Sequence, residues 1–308
     1  MSKFAIVFPG QGSQSVGMLA ELGEQYDVVK QTFDEASDAL GYDLWALIQN
    51  GPVEDLNQTF RTQPALLTAS VAIWRVWQEL GSEQPVNLAG HSLGEYSALV
   101  CAGVIDFREA VKLVELRGRL MQEAVPSGTG AMYAIIGLSD DLIAKACEEA
   151  AQGEVVSPVN YNSPGQVVIA GSKDAVERAA SLCKEAGAKR ALPLPVSVPS
   201  HCALMKPAAD KLAMALETIE FSQPQLPVIN NVDVIAETDP EKIKDALVRQ
   251  LYNPVRWTES VELMAQQNVE KLLELGPGKV LTGLTKRIVK TLSGAAVNDF
   301  ASLEAARS

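Results

Sequence analysis

Apolar and polar positions along the first part of the chain follow the patterns of two strands joined by a long helical segment. Two short apolar runs, FAIVF at 4–8 and VNLAG at 86–90, are each followed by a glycine-containing turn, and runs of this length predict buried strands. Most of the chain between them has a helical pattern, above all in the segment PALLTASVAIWRVWQEL. This order predicts a parallel α/β sheet with its ligand site at the carboxyl ends of the strands.

From Gly128 onward the predicted units become shorter. They follow in the order strand, helix, strand, strand, helix, strand, in the segments GAMYAIIGL, DDLIAKACEEAA, VVSPVNY, GQVVIAG, KDAVERAASLCKEAG and KRALPLPVSV. This is the order of a ferredoxin-like unit. We therefore predict a small ferredoxin-like domain at 128–196, inserted into a large α/β domain made of residues 1–127 and 197–308.

The large domain is expected to resume after the insert. Helical patterns near 203–217, 241–251 and 258–268 alternate with the apolar runs LPVIN and KLLEL, which again predicts helices packed on strands. The tail after about Asn298 is expected to fray, as chain ends commonly do.

Composition and charge narrow the classes of function. The 308 residues are 47% hydrophobic and 21% charged, which is typical of a globular chain with a full core. The first apolar run is too short for a signal peptide and no later segment approaches a membrane span, so we predict a cytoplasmic protein with no membrane partner. A net charge of −12 argues against non-specific binding to nucleic acid. Four scattered cysteines without a CxxC pair predict reduced thiols and no metal site.

The segment GHSLG contains a candidate nucleophile. Ser92 lies between Gly90 and Gly94, after a predicted strand and before the helix-forming stretch LGEYSALVCAG. Flanking glycines relieve crowding at a sharp strand-to-helix turn, the nucleophile elbow that exposes a serine hydroxyl in α/β-hydrolases. The alternative is a glycine-rich helix start with Ser92 as its cap. The position after a strand favours the nucleophile, and with it an α/β-hydrolase-like catalytic domain.

The base for this serine can be found by elimination, because the chain has only two histidines. His91 adjoins Ser92, and consecutive side chains in such a turn point in different directions. That leaves His201, in PVSVPSHCAL, although a lone histidine is commonly structural; Cys202 is interpreted as packing. No carboxylate can be nominated as the third member of a triad that would orient this histidine. With a thioester substrate the triad would not need an acid, since a thiol with a pKa near 8.5 is an easy leaving group.

An arginine interrupts the apolar face of the helix predicted at 106–125. Arg117 lies in the middle of an apolar stripe, whereas Arg119 has Glu115 and Glu123 four residues away on a polar face. The members of the stripe are Ala110, Leu113, Val114, Leu120, Met121 and Ala124. A guanidinium turned toward the core needs an anion. Either one of the protein's own acids supplies it, or a substrate carboxylate does, which would mean a dicarboxylic acyl group.

The loop PGQGSQ follows the first predicted strand, where backbone N–H groups can face a ligand. It lacks the Gly-Lys-Ser/Thr of a phosphate loop, and Ser15 stands where the dinucleotide fingerprint has its third glycine. In an acyl-transfer enzyme this loop is the second place to find an oxyanion donor, alongside the N–H of Leu93 after the nucleophile. The alternative is an ordinary tight turn.

The segments that carry a resemblance to a known family are, in this order, FPGQGSQ, GHSLGEYSAL, Arg117-Gly118, NSPGQVVIAG, VPSH and GPGKVLTGL. Along essentially its whole length, the chain resembles the malonyl-CoA:acyl carrier protein transacylases of bacterial fatty acid synthesis. The resemblance implies ping-pong transfer of malonyl from malonyl-CoA to a serine and then to the phosphopantetheine thiol of holo acyl carrier protein. Such a transfer is expected to need no cofactor and no metal, and the protein is expected to be a monomer.

The resemblance also assigns roles to individual residues. It implies Ser92 as nucleophile, His201 as base and Arg117 as the ligand of the malonyl carboxylate. It places the oxyanion hole at the N–H groups of Gln11 and Leu93. Gln250 matches the position whose backbone carbonyl orients the histidine.

The acidic carrier protein implies a basic docking surface. We hypothesise that Lys189-Arg190 and Lys286-Arg287 supply it, although some of them could instead bind the phosphates of coenzyme A.

Two other functions stay open on the residues alone. One is a serine esterase or thioesterase, which hands the acyl group to water. The other is a non-catalytic scaffold that binds the carrier protein.

Overall fold

The structure is a computed structural model that describes residues 3–196 and 198–307. Within these ranges the strands are β1 (Phe4–Phe8), β2 (Leu88–Gly90), β3 (Gly130–Ile136), β4 (Val156–Ser163), β5 (Gln166–Ser172), β6 (Arg190–Pro193), β7 (Val228–Ile229), β8 (Lys271–Leu275) and β9 (Ser293–Val297). The helices are α1 (Ala20–Gln25), α2 (Asp27–Leu40), α3 (Leu44–Asn50), α4 (Val53–Leu56), α5 (Thr59–Glu79), α6 (Gly94–Cys101), α7 (Phe107–Ala124), α8 (Asp140–Ala151), α9 (Lys173–Glu185), α10 (Lys206–Leu216), α11 (Pro240–Gln250), α12 (Trp257–Gln266), α13 (Val280–Ile288) and α14 (Phe300–Arg307).

The larger sheet is parallel, with the strand order β7-β2-β1-β8-β9. In its centre Ile6 of β1 pairs with Leu88 on one side and Leu273 on the other. Both faces are covered, because side chains that alternate along β1 belong to two separate apolar cores, as parallel sheets require. The predicted parallel α/β sheet is therefore confirmed, and the predicted run FAIVF coincides with β1.

The smaller sheet is antiparallel, with the order β4-β5-β3-β6. Helices α8 and α9 cover one face and share a core with Ile135, Val167 and Ile169. The other face packs around Met132 and Cys202. Residue 197, where the sequence predicts that the chain returns to the large domain, lies outside the described residues.

Backbone hydrogen bonds tie the two sheets together. The N–H of Tyr161 donates to the carbonyl of Val255 at 3.0 Å, and the N–H of Val255 donates to the carbonyl of Val159 at 2.8 Å. The Thr258 hydroxyl donates to the Tyr161 carbonyl at 3.0 Å. Strand β4 is thus bonded to the segment before α12. Its Asn162 Oδ1 also lies 2.8 Å from Nε2 of His91, the residue that follows β2, which places the small sheet beside the carboxyl end of β2.

The prediction of a frayed tail is wrong. Helix α14 buries Leu303 completely, and Phe300 stacks on Tyr26 with ring centroids 6.4 Å apart. Arg307 donates to the carbonyl of Leu80 at 3.0 Å. These contacts join distant parts of the chain, so no local pattern in the tail reveals them. Among the described residues, no helix combines the length and the hydropathy that a membrane crossing would need.

Candidate active site

Ser92 lies on a strained turn between β2 and α6. Its φ angle is +53°, a left-handed conformation that a non-glycine residue rarely adopts. A side chain at Gly90 would overlap the Gly94 carbonyl, and one at Gly94 would overlap the Phe8 carbonyl. The two glycines of GHSLG are therefore required by close backbone packing, and the turn holds the Ser92 hydroxyl out at the end of the sheet.

His201 meets Ser92 across the sheet end. The Ser92 Oγ lies 2.7 Å from His201 Nε2, and His201 Nδ1 lies 2.7 Å from the backbone carbonyl of Gln250. A carbonyl oxygen only accepts, so Nδ1 carries the proton and Nε2 is left to accept from the Ser92 hydroxyl. An uncharged carbonyl thus occupies the place that an acid holds in a Ser-His-Asp triad.

Burial keeps this imidazole neutral. His201 is only 3% exposed, and its pKa is lowered to about 3, first by burial and second by the positive charge of Arg117. A neutral imidazole can accept a proton at neutral pH, as a general base must.

The imidazole of His201 should therefore stay neutral between about pH 5 and pH 8, on either side of the ordinary histidine pKa. Burial also lowers the pKa of His91. With two histidines in the chain, a titration of imidazole nitrogen shifts by NMR resolves each of them. A midpoint near 6.5 for His201 would contradict the site geometry.

His201 should also make the stability of the fold depend on pH. The free energy of unfolding should decrease as pH falls from 6.5 toward 3, because only the unfolded chain binds a proton at this imidazole in that range.

Arg117 is fully buried beside the serine. Its Nη1 donates to Gln63 Oε1 at 2.7 Å, and its Nη2 donates to Gln250 Oε1 at 3.0 Å and lies 3.4 Å from Ser92 Oγ. Its Nε is buried without a partner. No carboxylate of the described residues lies within 4.0 Å of the guanidinium.

The sequence left open whether one of the protein's own acids or a substrate carboxylate binds Arg117, and these contacts favour the second. A direct buried pair with one of the protein's own acids is absent among the described residues, while Arg119 on the same helix does pair with Glu115 at 3.2 Å. Burial lowers the pKa of Arg117, but a guanidinium stays charged in proteins. A buried cation without a contacting anion is costly, so the site favours an anionic ligand next to Ser92.

The loop after β1 and the turn after Ser92 offer free donors. In the chain as described, neither the backbone N–H of Leu93 nor that of Gln11 donates to an acceptor. The Gln11 side chain donates to Thr59 Oγ1 at 2.9 Å, which holds the loop against α5. These two N–H groups are thus available for the role of oxyanion donors.

Sequence reasoning missed three buried polar residues that surround the site, namely Gln63, Glu95 and Asn231. The Asn231 Oδ1 accepts from the backbone N–H of Ser92 at 2.8 Å, and its Nδ2 donates to the Gly90 carbonyl at 2.7 Å. The available signal was a polar residue in an apolar run, as in TQPALL and LGEYSAL. That signal is weak, because it does not say which partner each polar group meets.

The four proposed docking cations lie at one end of the small sheet. Arg287 donates to Gln166 at 3.0 Å, Gln166 pairs with Ile136, and Ile136 pairs with Arg190 on the next strand. Lys189, Arg190, Lys286 and Arg287 are exposed. None of them forms an ion pair with another described residue.

Neither Cys202 nor a metal cluster forms part of the site in the described residues. Cys202 is buried, and burial raises the pKa of its thiol to about 11. Over residues 3–196 and 198–307, no cluster of three or more histidines, cysteines and acids is placed to hold a metal ion. That the reaction needs no cofactor stays a prediction.

An α/β sheet that carries a strained serine, a neutral imidazole and a buried cation at its carboxyl end is suited to acyl transfer through a serine ester. The comparison with known families agrees with it. A family model described as an acyl transferase domain matches residues 5–303, and the chain belongs to this family.

Individual relatives are close along the whole length. The malonyl CoA-acyl carrier protein transacylase of Salmonella typhimurium is 72% identical over 306 residues, 99% of each chain. The structure of an acyl carrier protein S-malonyltransferase from Vibrio cholerae is 82% identical, with a TM-score of 0.98 over 99% of this chain and 100% of that one. A malonyl-transacylase solved in complex with a type II PKS acyl-carrier protein is 72% identical, with a TM-score of 0.99 over 99% of each chain.

Proposed function

We propose that the protein transfers the malonyl group of malonyl-CoA to the phosphopantetheine thiol of acyl carrier protein, through an ester on Ser92. The relatives that share its length carry this activity in their names, and one structural relative is held in complex with an acyl-carrier protein. The observation that carries the proposal is Arg117. Its buried guanidinium has no carboxylate partner, and its Nη2 lies 3.4 Å from Ser92 Oγ, within reach of the carboxylate of a malonyl group on Ser92.

The first half-reaction forms the ester. The Ser92 hydroxyl gives its proton to His201 Nε2 as Oγ attacks the thioester carbonyl. The N–H groups of Leu93 and Gln11 stabilise the resulting oxyanion. The carbon–sulfur bond then breaks, the sulfur takes the proton back from His201, and coenzyme A leaves as a thiol.

Substrate binding helps the base. Burial and, second, the positive charge of Arg117 lower the pKa of His201, so protonation of the imidazole is disfavoured. A malonyl carboxylate bound to Arg117 offsets that positive charge, and the imidazolium that forms during attack becomes easier to reach. An acyl group without a carboxylate gives no such assistance.

The second half-reaction repeats the chemistry with a new nucleophile. His201 takes the proton of the phosphopantetheine thiol, the sulfur attacks the ester carbonyl, and Ser92 Oγ leaves with the proton. The Gln250 carbonyl keeps the imidazole in the tautomer that both steps need. A thioesterase would use the same parts but admit water, and it has no need for a buried cation against the acyl group.

The finer organisation of the fold is part of the proposal. The order β4-β5-β3-β6 with antiparallel pairing supports a ferredoxin-like insert at 128–196. The strand-to-helix elbow supports an α/β-hydrolase-like domain made of the remaining segments. We also propose a cytoplasmic location, which the four free cysteines support, and a monomer.

The proposal is tested by following the fate of the malonyl group. Malonyl-CoA is mixed with the protein, with and without holo acyl carrier protein, and malonyl carrier protein and free malonate are quantified by mass spectrometry. We expect malonyl carrier protein as the main product and little malonate. Malonate as the main product in the presence of carrier protein would make the protein a hydrolase.

Docking is tested by charge reversal. Changing Lys189-Arg190 and Lys286-Arg287 to Glu should raise the KM for carrier protein by roughly 5- to 30-fold, because rim charges steer an acidic partner. Acylation by malonyl-CoA should stay largely intact. Lys30 and Lys242, exposed on α2 and α11 without ion pairs to described residues, serve as control reversals. An unchanged KM would place the docking surface elsewhere, and a raised KM for malonyl-CoA would assign the cations to coenzyme A.

A further inference from the structure

Glu95 is a buried carboxylate that the reaction described above does not use. It lies in the first turn of α6, three residues after Ser92, and is 2% exposed. No lysine or arginine of the described residues forms an ion pair with it. A buried acid without a cationic contact is costly unless its hydrogen bonds do specific work.

Those hydrogen bonds lead to the active site. One carboxylate oxygen, Oε2, accepts from the Gln250 side-chain Nε2 at 2.9 Å and from the backbone N–H of Asn231 at 2.9 Å. Gln250 is the residue whose backbone carbonyl faces His201. Its side chain is completely buried.

The acceptors around Nε2 determine which way the Gln250 amide points. Nε2 donates to the Glu95 carboxylate at 2.9 Å and to the backbone carbonyl of Ser92 at 3.0 Å, and an ionised carboxylate and a carbonyl only accept. Oε1 then faces Arg117, from whose Nη2 it accepts at 3.0 Å. The flipped amide would set an NH2 group against the guanidinium and remove this acceptor of Nη2. Of the acceptors around Nε2, Glu95 is the one that can carry a negative charge.

We propose that Glu95 is a positioning residue that prepares Arg117 for the carboxylate of the acyl group, acting through the Gln250 amide. This inference rests on the proposed function. Glu95 touches neither the reacting atoms nor Arg117 directly. By helping to fix one acceptor for Nη2, it holds the guanidinium plane while Nε stays unpaired, and it balances the buried positive charge from one amide away.

The surroundings of Glu95 act on its charge in two directions. Burial raises the pKa of Glu95 to about 7, while the N–H groups of Asn231 and Gln250 and the positive charge of Arg117 favour its ionised form. The ionised carboxylate acts only as an acceptor.

Glu95 also supports the nucleophile through a second branch, and the two branches have different consequences. Asn231, held by Glu95, accepts from the backbone N–H of Ser92. Loss of that branch would slow transfer of every acyl group alike. Loss of the Gln250 branch would act through Arg117, and so only on acyl groups that carry a carboxylate.

The test is the ratio of kcat/KM for acylation by malonyl-CoA to that by acetyl-CoA, measured on the same preparation so that partial unfolding cancels. Glu95→Ala should lower this ratio by about tenfold or more, the effect of one hydrogen bond to a charged group. Glu95→Gln should keep it within about threefold of the wild type, because the Gln side-chain oxygen can accept from the same two donors. Asn231→Ala is the matched control. Asn231 Oδ1 also lies 3.3 Å from Gln250 Nε2, but the Glu95 carboxylate stays in place in this variant, so it should slow both substrates while leaving the ratio unchanged.

Each outcome bears on one claim. Equal losses for both substrates in Glu95→Ala would give Glu95 a structural role and overturn the inference. A Glu95→Gln variant as unselective as Glu95→Ala would also overturn it, since orientation by hydrogen bonding would then be insufficient. Failure of the proposed function would show separately, as a wild-type protein that takes up no malonyl group.

Discussion

Replacing Ser92 by alanine should lower malonyl transfer by roughly 10⁴-fold or more, the usual loss when the nucleophile of a covalent mechanism is removed. The change deletes one oxygen atom at a site where Ser92 Oγ lies 2.7 Å from His201 Nε2. The elbow itself should survive, since its backbone is held by Asn231 and by close packing at Gly90 and Gly94. Binding of malonyl-CoA should therefore persist while turnover is lost.

The chain offers a matched control for this variant. Ser97 lies one and a half turns further along α6, is fully buried, and its hydroxyl has no hydrogen-bond partner. Ser97→Ala removes the same kind of atom from the helix that follows the elbow, and it should leave transfer within about twofold of the wild type, since nothing is left unpaired. If Ser92→Ala retained wild-type transfer, the nucleophile would have to be another residue.

Replacing Arg117 by alanine should lower kcat/KM for malonyl transfer by roughly 30- to 5,000-fold. This range corresponds to about 2 to 5 kcal/mol, typical for removing one partner of a buried charge pair. Acetyl transfer should survive or improve, because an acetyl group offers no carboxylate to the guanidinium. The kinetics of both substrates on one preparation separate recognition of the acyl group from general damage to the site.

Arg119→Ala is the control for this second variant. Arg119 lies on the same helix, its side chain is 47% exposed, and it pairs with Glu115 at 3.2 Å. Removing an exposed ion pair of this kind should change either activity by less than about twofold. Equal losses of malonyl and acetyl transfer in Arg117→Ala would give Arg117 a structural role and would leave the choice of acyl group unexplained.

The proposed catalytic pair, Ser92 and His201, could be nominated from sequence because each residue has a local or compositional signal. Ser92 follows an apolar strand and is flanked by glycines, and only two histidines were available as partners. The burial of Arg117 was likewise visible, since helical spacing placed it within an apolar stripe. Burial itself follows from periodicity, whereas the partner of a buried group does not.

The rest of the site could not be obtained in this way. Gln250 faces His201 with its backbone carbonyl, a group that every residue has, so only resemblance pointed to it. Glu95 and Asn231 meet across 136 positions of sequence, and no spacing rule connects them. The same reason explains the error in the tail, where Leu303 and Phe300 pack on distant segments.

Covalent transfer through Ser92 is tested most directly by mass spectrometry of the protein after brief mixing with malonyl-CoA, followed by holo acyl carrier protein or by buffer alone. We expect a malonyl adduct on the peptide that contains Ser92, stable in buffer and discharged onto the carrier protein. An adduct lost at the same rate with and without carrier protein would contradict transfer to that partner. No adduct at all would contradict the covalent mechanism.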